Sequence, residues 1–297
     1  MGHGKWSSES YTSYSTTKRG VSRSNLFGRK SKDDAVIGGQ AVNIEEIKFR
    51  ESRDSEEHPV TTPVIVGLDV TGSMGMIPEE LVKNGLGIFV DNLLQSKQIP
   101  GPHILFAGIG DAVAHDQAPL QVTQFEADNS ICDQLTDIWL EGRGGGNNFE
   151  SYDLAWAFAA YKTQTDAWEK RQEKGFLFTV GDEMFPWSTD TKYFNSVIGS
   201  DVMSNPTPEK LLEKALERWH VYHIIIEEGS YVRNYSLDKV KNSWQQHLYK
   251  RAITLSDYKY LPQVMTTAIS LESGKSLDEI LDGCSDVERS VLENSFS

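Results

Sequence analysis

The sequence of 297 residues has few cysteines and no long apolar run. Cys132 and Cys284 lie far apart and match no metal-binding or redox spacing, so reduced thiols are expected. No stretch approaches the roughly 18 apolar residues of a membrane-spanning helix, and no apolar segment follows the first charges as in a signal peptide. We therefore expect a cytoplasmic protein without a membrane partner.

Positive charge is also scarce. The 29 Lys and Arg residues face 43 Asp and Glu residues, which gives a formal net charge of −14. This balance argues against a nucleic-acid partner and favours a basic one. Residues 1–32 differ, because they carry seven Lys or Arg and a single acid, Glu9. Such a basic arm could dock on the acidic remainder in cis, bind a neighbouring copy, or contact another acidic surface.

The N-terminal arm has an unusual composition. Every residue from 7 to 17 except Glu9 is Ser, Thr or Tyr. This composition buries little apolar surface and predicts a flexible or partner-dependent segment. The aromatic residues Trp6, Tyr11, Tyr14 and Phe27 favour a role in assembly, including oligomerisation. We predict an N-terminal extension at 1–60, a main domain at 61–272 and a C-terminal tail at 273–297.

Apolar runs and helical patterns alternate through the main domain. Buried strands are predicted at 64–69, 103–109, 176–180 and 220–226, with a short edge strand at 121–125. Helices are predicted at 79–94, 131–140, 151–161, 236–250 and 258–272. Repeated alternation of strand and helix predicts an α/β fold with a parallel, doubly wound sheet.

The first strand ends in a turn rich in oxygen donors. Residues 64–76 read VIVGLDVTGSMGM, which places Asp69, Thr71 and Ser73 at alternate positions. Donors with this spacing converge where the backbone curls, and a hard cation, Mg²⁺ before Mn²⁺ or Ca²⁺, suits them. In the alternative interpretation, Asp69 and Ser73 bond to local backbone and cap the next helix.

Two other interpretations of this turn fail on spacing. A phosphate-binding loop requires a Lys after its glycines, and no Lys enters this turn. A nucleophile elbow requires G-x-S-x-G, whereas here Gly72 directly precedes Ser73.

Acidic residues follow four of the predicted strands. They are Asp69, Asp111, Asp182 with Glu183, and Glu227 with Glu228. Parallel strands place their carboxyl ends at one edge of the sheet, where ligands bind, so several carboxylates should crowd together there. Crowded acids raise one another's pKa unless a cation lies among them. Helix capping remains the alternative for Asp111 and Glu227.

The Asp-x-Thr-Gly-Ser-Met turn, the later Gly-rich loop that enters a helix, and the strand that ends in Asp182 together resemble the von Willebrand factor A domain. The resemblance covers residues 62–272 and leaves the N-terminal arm outside. It implies a Rossmann-like, doubly wound, mostly parallel sheet with helices on both faces. It also implies a divalent cation, usually Mg²⁺, in a metal-ion-dependent adhesion site at the top edge of the sheet.

By this resemblance, the first metal loop consists of Asp69, Thr71 and Ser73, with Thr71 in place of the more usual Ser. Asp182 corresponds to the acid that commonly contacts the ion through water. The family's usual Thr-Asp-Gly reads Thr-Val-Gly-Asp-Glu here, so Glu183 is an alternative.

The second metal loop departs further from the family. Residues 144–151 read GGGNNFES and lack the Thr that usually follows the glycines. By the resemblance, Asn147 is the nearest positional match and is taken as the third ligand. Glu150 and Ser151, at the start of the following helix, are alternatives.

In this family the ion keeps an open position that an Asp or Glu of a partner protein fills. The resemblance therefore implies a metal-dependent protein-interaction or scaffolding module rather than an enzyme. One alternative is a metal-dependent hydrolase or phosphoryl-transfer enzyme with Glu183 or Glu227 as base. A second alternative is a structural assembly protein, phage-related, whose basic arm reaches a neighbouring copy.

Overall fold

The computed structural model describes residues 4–27, 36–37, 40–41, 49–72, 74, 76–140 and 147–297. Ser73 of the predicted first metal loop and the glycines at 144–146 lie outside these residues. The strands are β1 Val36–Ile37, β2 Gln40–Ala41, β3 Arg50–Ser52, β4 Thr62–Asp69, β5 Pro102–Ile109, β6 Leu120–Val122, β7 Thr163–Thr165, β8 Gly175–Gly181, β9 Trp219–Ile226 and β10 Ala252–Leu255.

The helices surround these strands. They are α1 Ser8–Lys18, α2 Arg23–Leu26, α3 Met76–Glu80, α4 Leu86–Ser96, α5 Ser130–Thr136, α6 Tyr152–Tyr161, α7 Asp166–Arg171, α8 Thr191–Val197, α9 Pro208–Arg218, α10 Ser230–Asn234, α11 Leu237–Leu248, α12 Leu261–Glu272, α13 Leu277–Leu281 and α14 Asp286–Ser295. A π-helix, Leu81–Gly85, joins α3 to α4, and short 3₁₀ turns occupy Tyr249–Arg251 and Tyr258–Tyr260.

A six-stranded sheet in the order β10-β9-β8-β4-β5-β6 forms the centre of the molecule. All neighbouring pairs are parallel except β5 with β6, which is antiparallel. The predicted α/β class with a mostly parallel sheet is therefore confirmed. Numbered in chain order, the parallel strands run 2-1-3-4-5 across the sheet, so the winding reverses between β4 and β8. In open sheets of this kind ligands bind at the carboxyl ends of the strands beside that reversal.

The sheet separates two apolar cores. All eight residues of β4 are buried; Val64 and Val66 face one core, whereas Ile65 faces the other. Alternate side chains of a strand point to opposite faces, so a strand covered on both faces is apolar over most of its length. The first core lies under α4 and α12, and the second lies under α6, α9 and α11. Helices thus cover both faces of the sheet.

The four predicted buried strands lie within two residues of those observed, whereas the edge strand predicted at 121–125 ends three residues earlier, at Val122. The helices differ more. The helix predicted at 79–94 begins earlier, ends at Ser96 and contains the π-helix. The helix predicted at 131–140 ends at Thr136. Among the described residues, no helix is both long and apolar enough to cross a membrane.

The N-terminal segment 4–27 is ordered and packs on the main domain, in contrast to the flexible arm that its composition predicts. Tyr11 is buried in the first core, and Tyr14 donates a hydrogen bond to the carbonyl oxygen of Cys132 at 3.1 Å. The indole of Trp6 donates to Asp91 at 2.9 Å. Of the three options for this arm, docking in cis is the one the structure adopts for residues 4–27. Aromatic rings, rather than composition averaged over the segment, account for the docking.

The C-terminal residues also reach the first core. Leu281 of α13 and Leu292 of α14 are buried there. The predicted domain limits of 1–60, 61–272 and 273–297 stay a prediction. Both flanking segments contribute side chains to the first core of the main domain.

Candidate metal centre at the carboxyl edge of the sheet

Asp69 ends the central strand β4 and is 1% exposed. Its Oδ1 accepts the backbone N–H of Thr71 at 2.8 Å and the Thr71 hydroxyl at 2.6 Å. Its Oδ2 is buried and has no hydrogen-bond partner among the described residues. Burial raises the pKa of Asp69 to about 7, against the opposing effect of Thr71 and with a further increase from Asp182. One oxygen therefore closes the local turn, and the other remains free for a ligand.

Asp182 follows β8, directly beside β4, and is equally buried. Its Oδ2 accepts the backbone N–H of Tyr231 at 2.7 Å. A Cβ on Gly229 would lie 2.1 Å from the Cβ of Asp182, so the close approach of the α10 segment requires glycine there. Burial raises the pKa of Asp182, and the charge of Arg233 opposes this change.

Glu150 and Glu183 complete the inner group of acids. Oε2 of each is buried without a hydrogen-bond partner among the described residues. Burial raises the pKa of Glu150 well above its usual value, and Asp69 and Glu183 raise it further. Burial likewise raises the pKa of Glu183 to about 8, with contributions from Asp69 and Asp182. The carboxyl groups of three chain segments therefore interact electrostatically at this edge.

Asp111, after β5, caps a local turn with one carboxylate oxygen and leaves the other free. Its Oδ1 accepts the N–H groups of Val113 and Ala114 at 2.8 and 3.0 Å, so it caps a local turn. Its Oδ2 is fully buried and has no hydrogen-bond partner in the described part of the chain. Burial raises the pKa of Asp111, and this carboxyl group in turn raises the pKa of Glu150 and Glu183.

The three candidates for the third ligand lie in different surroundings. Asn147 lies beside Asp111 and partly offsets the increase that burial causes in the pKa of Asp111. Nδ2 of Asn147 is buried and makes no hydrogen bond of normal geometry among the described residues. The hydroxyl oxygen of Ser151 accepts the N–H of Ala112 at 3.0 Å. Glu150 is the candidate that interacts with Asp69.

Glu227 and Glu228, which follow β9, make contacts with the segment around β10 instead. The Glu228 carboxylate accepts the N–H of Tyr258 at 2.9 Å, and the N–H of Glu227 donates to the carbonyl oxygen of Leu255 at 3.0 Å. Glu228 therefore closes the turn after β10.

Tyr152, which lies close to these acids, is not among the residues predicted for this site. Its ring is fully buried and packs at a steep angle against the stacked rings of His223 and Trp244, and its hydroxyl has no partner among the described residues. Burial raises the pKa of Tyr152 well above its usual value, and Asp69 and Glu183 add to this effect. An aromatic residue directly after the Gly-rich loop was the signal available in the sequence.

Replacing Gly181 with Ala is expected to destabilise the protein by about 1–3 kcal/mol, the usual range for overpacking. A Cβ on Gly181 would lie 1.9 Å from the Tyr152 hydroxyl oxygen. Urea unfolding followed by circular dichroism measures the loss. Adding Tyr152→Phe should recover part of it, since the hydroxyl is the closest obstacle; a double variant no more stable than Gly181→Ala would contradict this account.

No three His, Cys, Asp or Glu side chains in the described part of the chain are arranged to hold a metal ion by themselves. The unpartnered oxygens of Asp69 and Glu150 nevertheless suit a hard cation. The hydroxyls of Thr71 and Ser73, which the sequence predicts as ligands, are of the same hard type. Carboxylate, hydroxyl and water oxygens together are the donor set that fits this edge.

No family model matches the sequence, and no curated protein sequence is significantly similar to it. Among solved structures, the chain is similar to a protein described as von Willebrand factor type A from Catenulispora acidiphila, at 12% sequence identity and a TM-score of 0.41. The similarity covers 73% of this chain and 43% of that chain, so this chain spans less than half of that relative's length. At this identity and TM-score the similarity carries no argument about the candidate metal centre.

Proposed function

We propose that this chain binds a divalent cation, Mg²⁺ first, at the carboxyl edge of its sheet, and that a protein partner completes the ion's coordination with an Asp or Glu. The observation that carries the proposal is the set of buried carboxylate oxygens without hydrogen-bond partners. They are Asp69 Oδ2, Asp111 Oδ2, Glu150 Oε2 and Glu183 Oε2.

Buried carboxylates of this kind have two ways to avoid an unpaired charge. They can take up protons, which is what their raised pKa values describe for the metal-free protein. Alternatively, they can bind a cation, which neutralises several of them at once and satisfies their free oxygens. At neutral pH and millimolar Mg²⁺ we expect the second state.

The proposed ligands follow from which oxygens are free. Asp69 would use Oδ2, with Thr71 and the predicted Ser73 as hydroxyl donors. Glu150 replaces Asn147 as the preferred third ligand, because its Oε2 is free and it interacts with Asp69. Asp182 would act through water, since its Oδ2 already accepts the N–H of Tyr231.

The surroundings favour a protein partner. Trp187 is 54% exposed and its ring packs at 4.4 Å from that of Phe149, the residue before Glu150. Exposed aromatic side chains are typical anchors of protein interfaces. The net charge of −14 favours a partner that surrounds its one ligating carboxylate with basic residues.

Calorimetric titration with Mg²⁺ tests the site. Wild type should bind, and Glu150→Gln should lower the affinity about tenfold or more, as expected for loss of a metal-site carboxylate. Asn147→Ala is the matched control and should change the affinity by less than about threefold. Absence of binding by wild type would refute the proposal. A larger loss of Mg²⁺ affinity in Asn147→Ala than in Glu150→Gln would restore Asn147 as the third ligand.

Affinity capture tests the partner. A protein that binds immobilised wild type in Mg²⁺ should elute with EDTA and with excess acetate, which competes for the open position. A column carrying Asp69→Asn is the control and should not retain it. Retention that is unchanged by EDTA would contradict a metal-bridged contact.

A hydrolase is the second candidate, and the pKa of Glu183 of about 8 is the observation in its favour, since a group that titrates near neutrality can transfer protons. We propose a binding role rather than catalysis. With Mg²⁺ and p-nitrophenyl phosphate we therefore expect no turnover above that of Asp69→Asn; turnover that disappears in this variant would favour the enzyme.

A further inference from the structure

The chain that leaves the metal loop enters an irregular helix. Between α3 and α4 lies the five-residue π-helix Leu81–Gly85, in which the N–H of Leu86 bonds to the carbonyl oxygen of Leu81. A π-helix contains one residue more than an α-helix of the same length, and such segments often occur at functional sites. Its conversion to α-helix would rotate the preceding residues by about 100° and shift them by about 1.5 Å relative to α4.

The docked N-terminal helix α1 contacts this π-helix. The hydroxyl of Tyr11 donates to the carbonyl oxygen of Leu81 over 3.4 Å. Burial raises the pKa of Tyr11 to about 12, so the hydroxyl keeps its proton. The Tyr11 ring lies against Gly87 so closely that a Cβ there would be 2.1 Å from it. Gly87, two residues after the end of the π-helix, thus leaves the space that the Tyr11 ring occupies.

Further contacts fix α1 to the elements on either side. Asp91 of α4 accepts hydrogen bonds from the Trp6 indole at 2.9 Å and from the Ser8 hydroxyl at 2.6 Å. The Tyr14 hydroxyl reaches the carbonyl oxygen of Cys132 in α5. On the side of α12, a Cβ on Gly85 would lie 3.2 Å from Pro262. The π-helix is therefore held between α1 and α12.

We infer that residues 4–27 are a regulatory segment in cis, which holds the π-helix and, through it, the metal loop in the form that binds a cation. The inference rests on the proposed cation site. In the docked form the Asp69 and Glu150 oxygens are free and close enough to interact. Release of α1 removes the hydrogen bond to Leu81 and the packing on Gly87, so the π-helix can convert to α-helix and move the metal loop. Linkage then requires that Mg²⁺ strengthen the docking of α1 by the same factor as docking strengthens Mg²⁺ binding.

Two variants of the full chain release α1 from opposite sides. Gly87→Ala places a methyl group in the space that the Tyr11 ring occupies. Tyr11→Ala removes the ring and leaves the sequence of the main domain unchanged. Each should lower Mg²⁺ affinity in calorimetry by about fivefold or more, the usual range of coupling between sites. Gly20→Ala is the control, since a Cβ there meets nothing within 4 Å, and its affinity should equal that of wild type.

Hydrogen exchange of the amides of α1 supplies the reciprocal measurement. Mg²⁺ should slow exchange at residues 8–18 of wild type and leave it unchanged in Asp69→Asn. If the two releasing variants exchange faster at α1 yet bind Mg²⁺ as wild type does, the inference is wrong and the proposed cation site stands. If Mg²⁺ accelerates exchange at α1, the coupling has the opposite sign and the inference is also wrong. If wild type does not bind Mg²⁺, both proposals fail.

Discussion

Replacing Asp69 with Asn should raise the melting temperature of the metal-free protein and abolish its stabilisation by Mg²⁺. Asn keeps Oδ1 as acceptor for Thr71 and removes a carboxylate whose buried Oδ2 has no partner. The pKa of Asp69 is raised from 3.8 to about 7, so ionising it above neutral pH costs folding free energy, on the order of 2 kcal/mol after allowance for coupling to its neighbours. A gain of several degrees is expected in a chain of this size.

Wild type, by contrast, should be stabilised by Mg²⁺. Mg²⁺ that binds the folded state alone raises the free energy of unfolding by about 2.7 kcal/mol at a concentration one hundred times its Kd. Differential scanning calorimetry at pH 8, with EDTA and with Mg²⁺, measures both effects. The two curves of Asp69→Asn should coincide.

Asp153 provides a matched control. It is also 1% exposed, burial raises its pKa to about 7, and its Oδ1 has no hydrogen-bond partner among the described residues, but it is outside the proposed ligand set. Asp153→Asn should stabilise the metal-free protein while keeping the response to Mg²⁺. If Asp69→Asn keeps that response as well, Asp69 is not a ligand.

The metal-free protein should lose stability as the pH rises from 6.5 to 8.5. Burial raises the pKa of Asp69 and Asp153 to about 7 and that of Glu183 to about 8. The folded state therefore keeps protons that the unfolded chain has released, since unfolded carboxyl groups titrate near pH 4. The stabilisation is complete below that pH and is lost as the pH rises through the folded values.

A buried histidine sets the lower end of the pH range, 6.5, for this experiment. Burial holds the pKa of His223 well below its usual 6.5, so this residue reduces stability when the pH falls below that value. Between pH 6.5 and 8.5 the carboxyl groups dominate, and a loss on the order of 3 kcal/mol is expected, at about 1.4 kcal/mol per pKa unit.

Urea unfolding at closely spaced pH values measures this slope. Saturating Mg²⁺ should flatten or reverse it, because the ion competes with the protons and binds more tightly as they leave. Glu150→Gln should reduce the slope without metal. A metal-free protein whose stability is constant across the window would show that these carboxyl groups are solvated rather than buried.

The sheet and part of its edge were predictable because they depend on local patterns. A strand buried on both faces has to be mostly apolar, and β4 and β8 meet that condition and end at Asp69 and just before Asp182. Parallel pairing then brings the two ends together without further information. Proximity of Asp69 to Asp182 was therefore contained in the sequence.

Other features depend on packing that a linear pattern does not encode. Asn147 and Glu150 are three residues apart on an irregular loop, and the direction of each side chain is set by backbone angles that glycine leaves open. The π-helix has no periodicity that distinguishes it from the α-helix around it. Docking of residues 4–27 depends on a few long-range contacts, such as Tyr11 on Gly87, whereas composition averages over all the residues of the arm.

The docking of α1 also has a consequence during synthesis. Tyr11 and Tyr14 pack on Leu81, Gly87 and Cys132, which leave the ribosome later. At about 5–20 residues per second, the roughly 120 residues between Tyr11 and Cys132 take about 6–24 s to be made. During that time the aromatic side chains of the arm have no folded surface to cover. The Ser- and Thr-rich sequence around them keeps this stretch hydrated until its binding surface on α4 and α5 exists, so this segment is synthesised early and docks late.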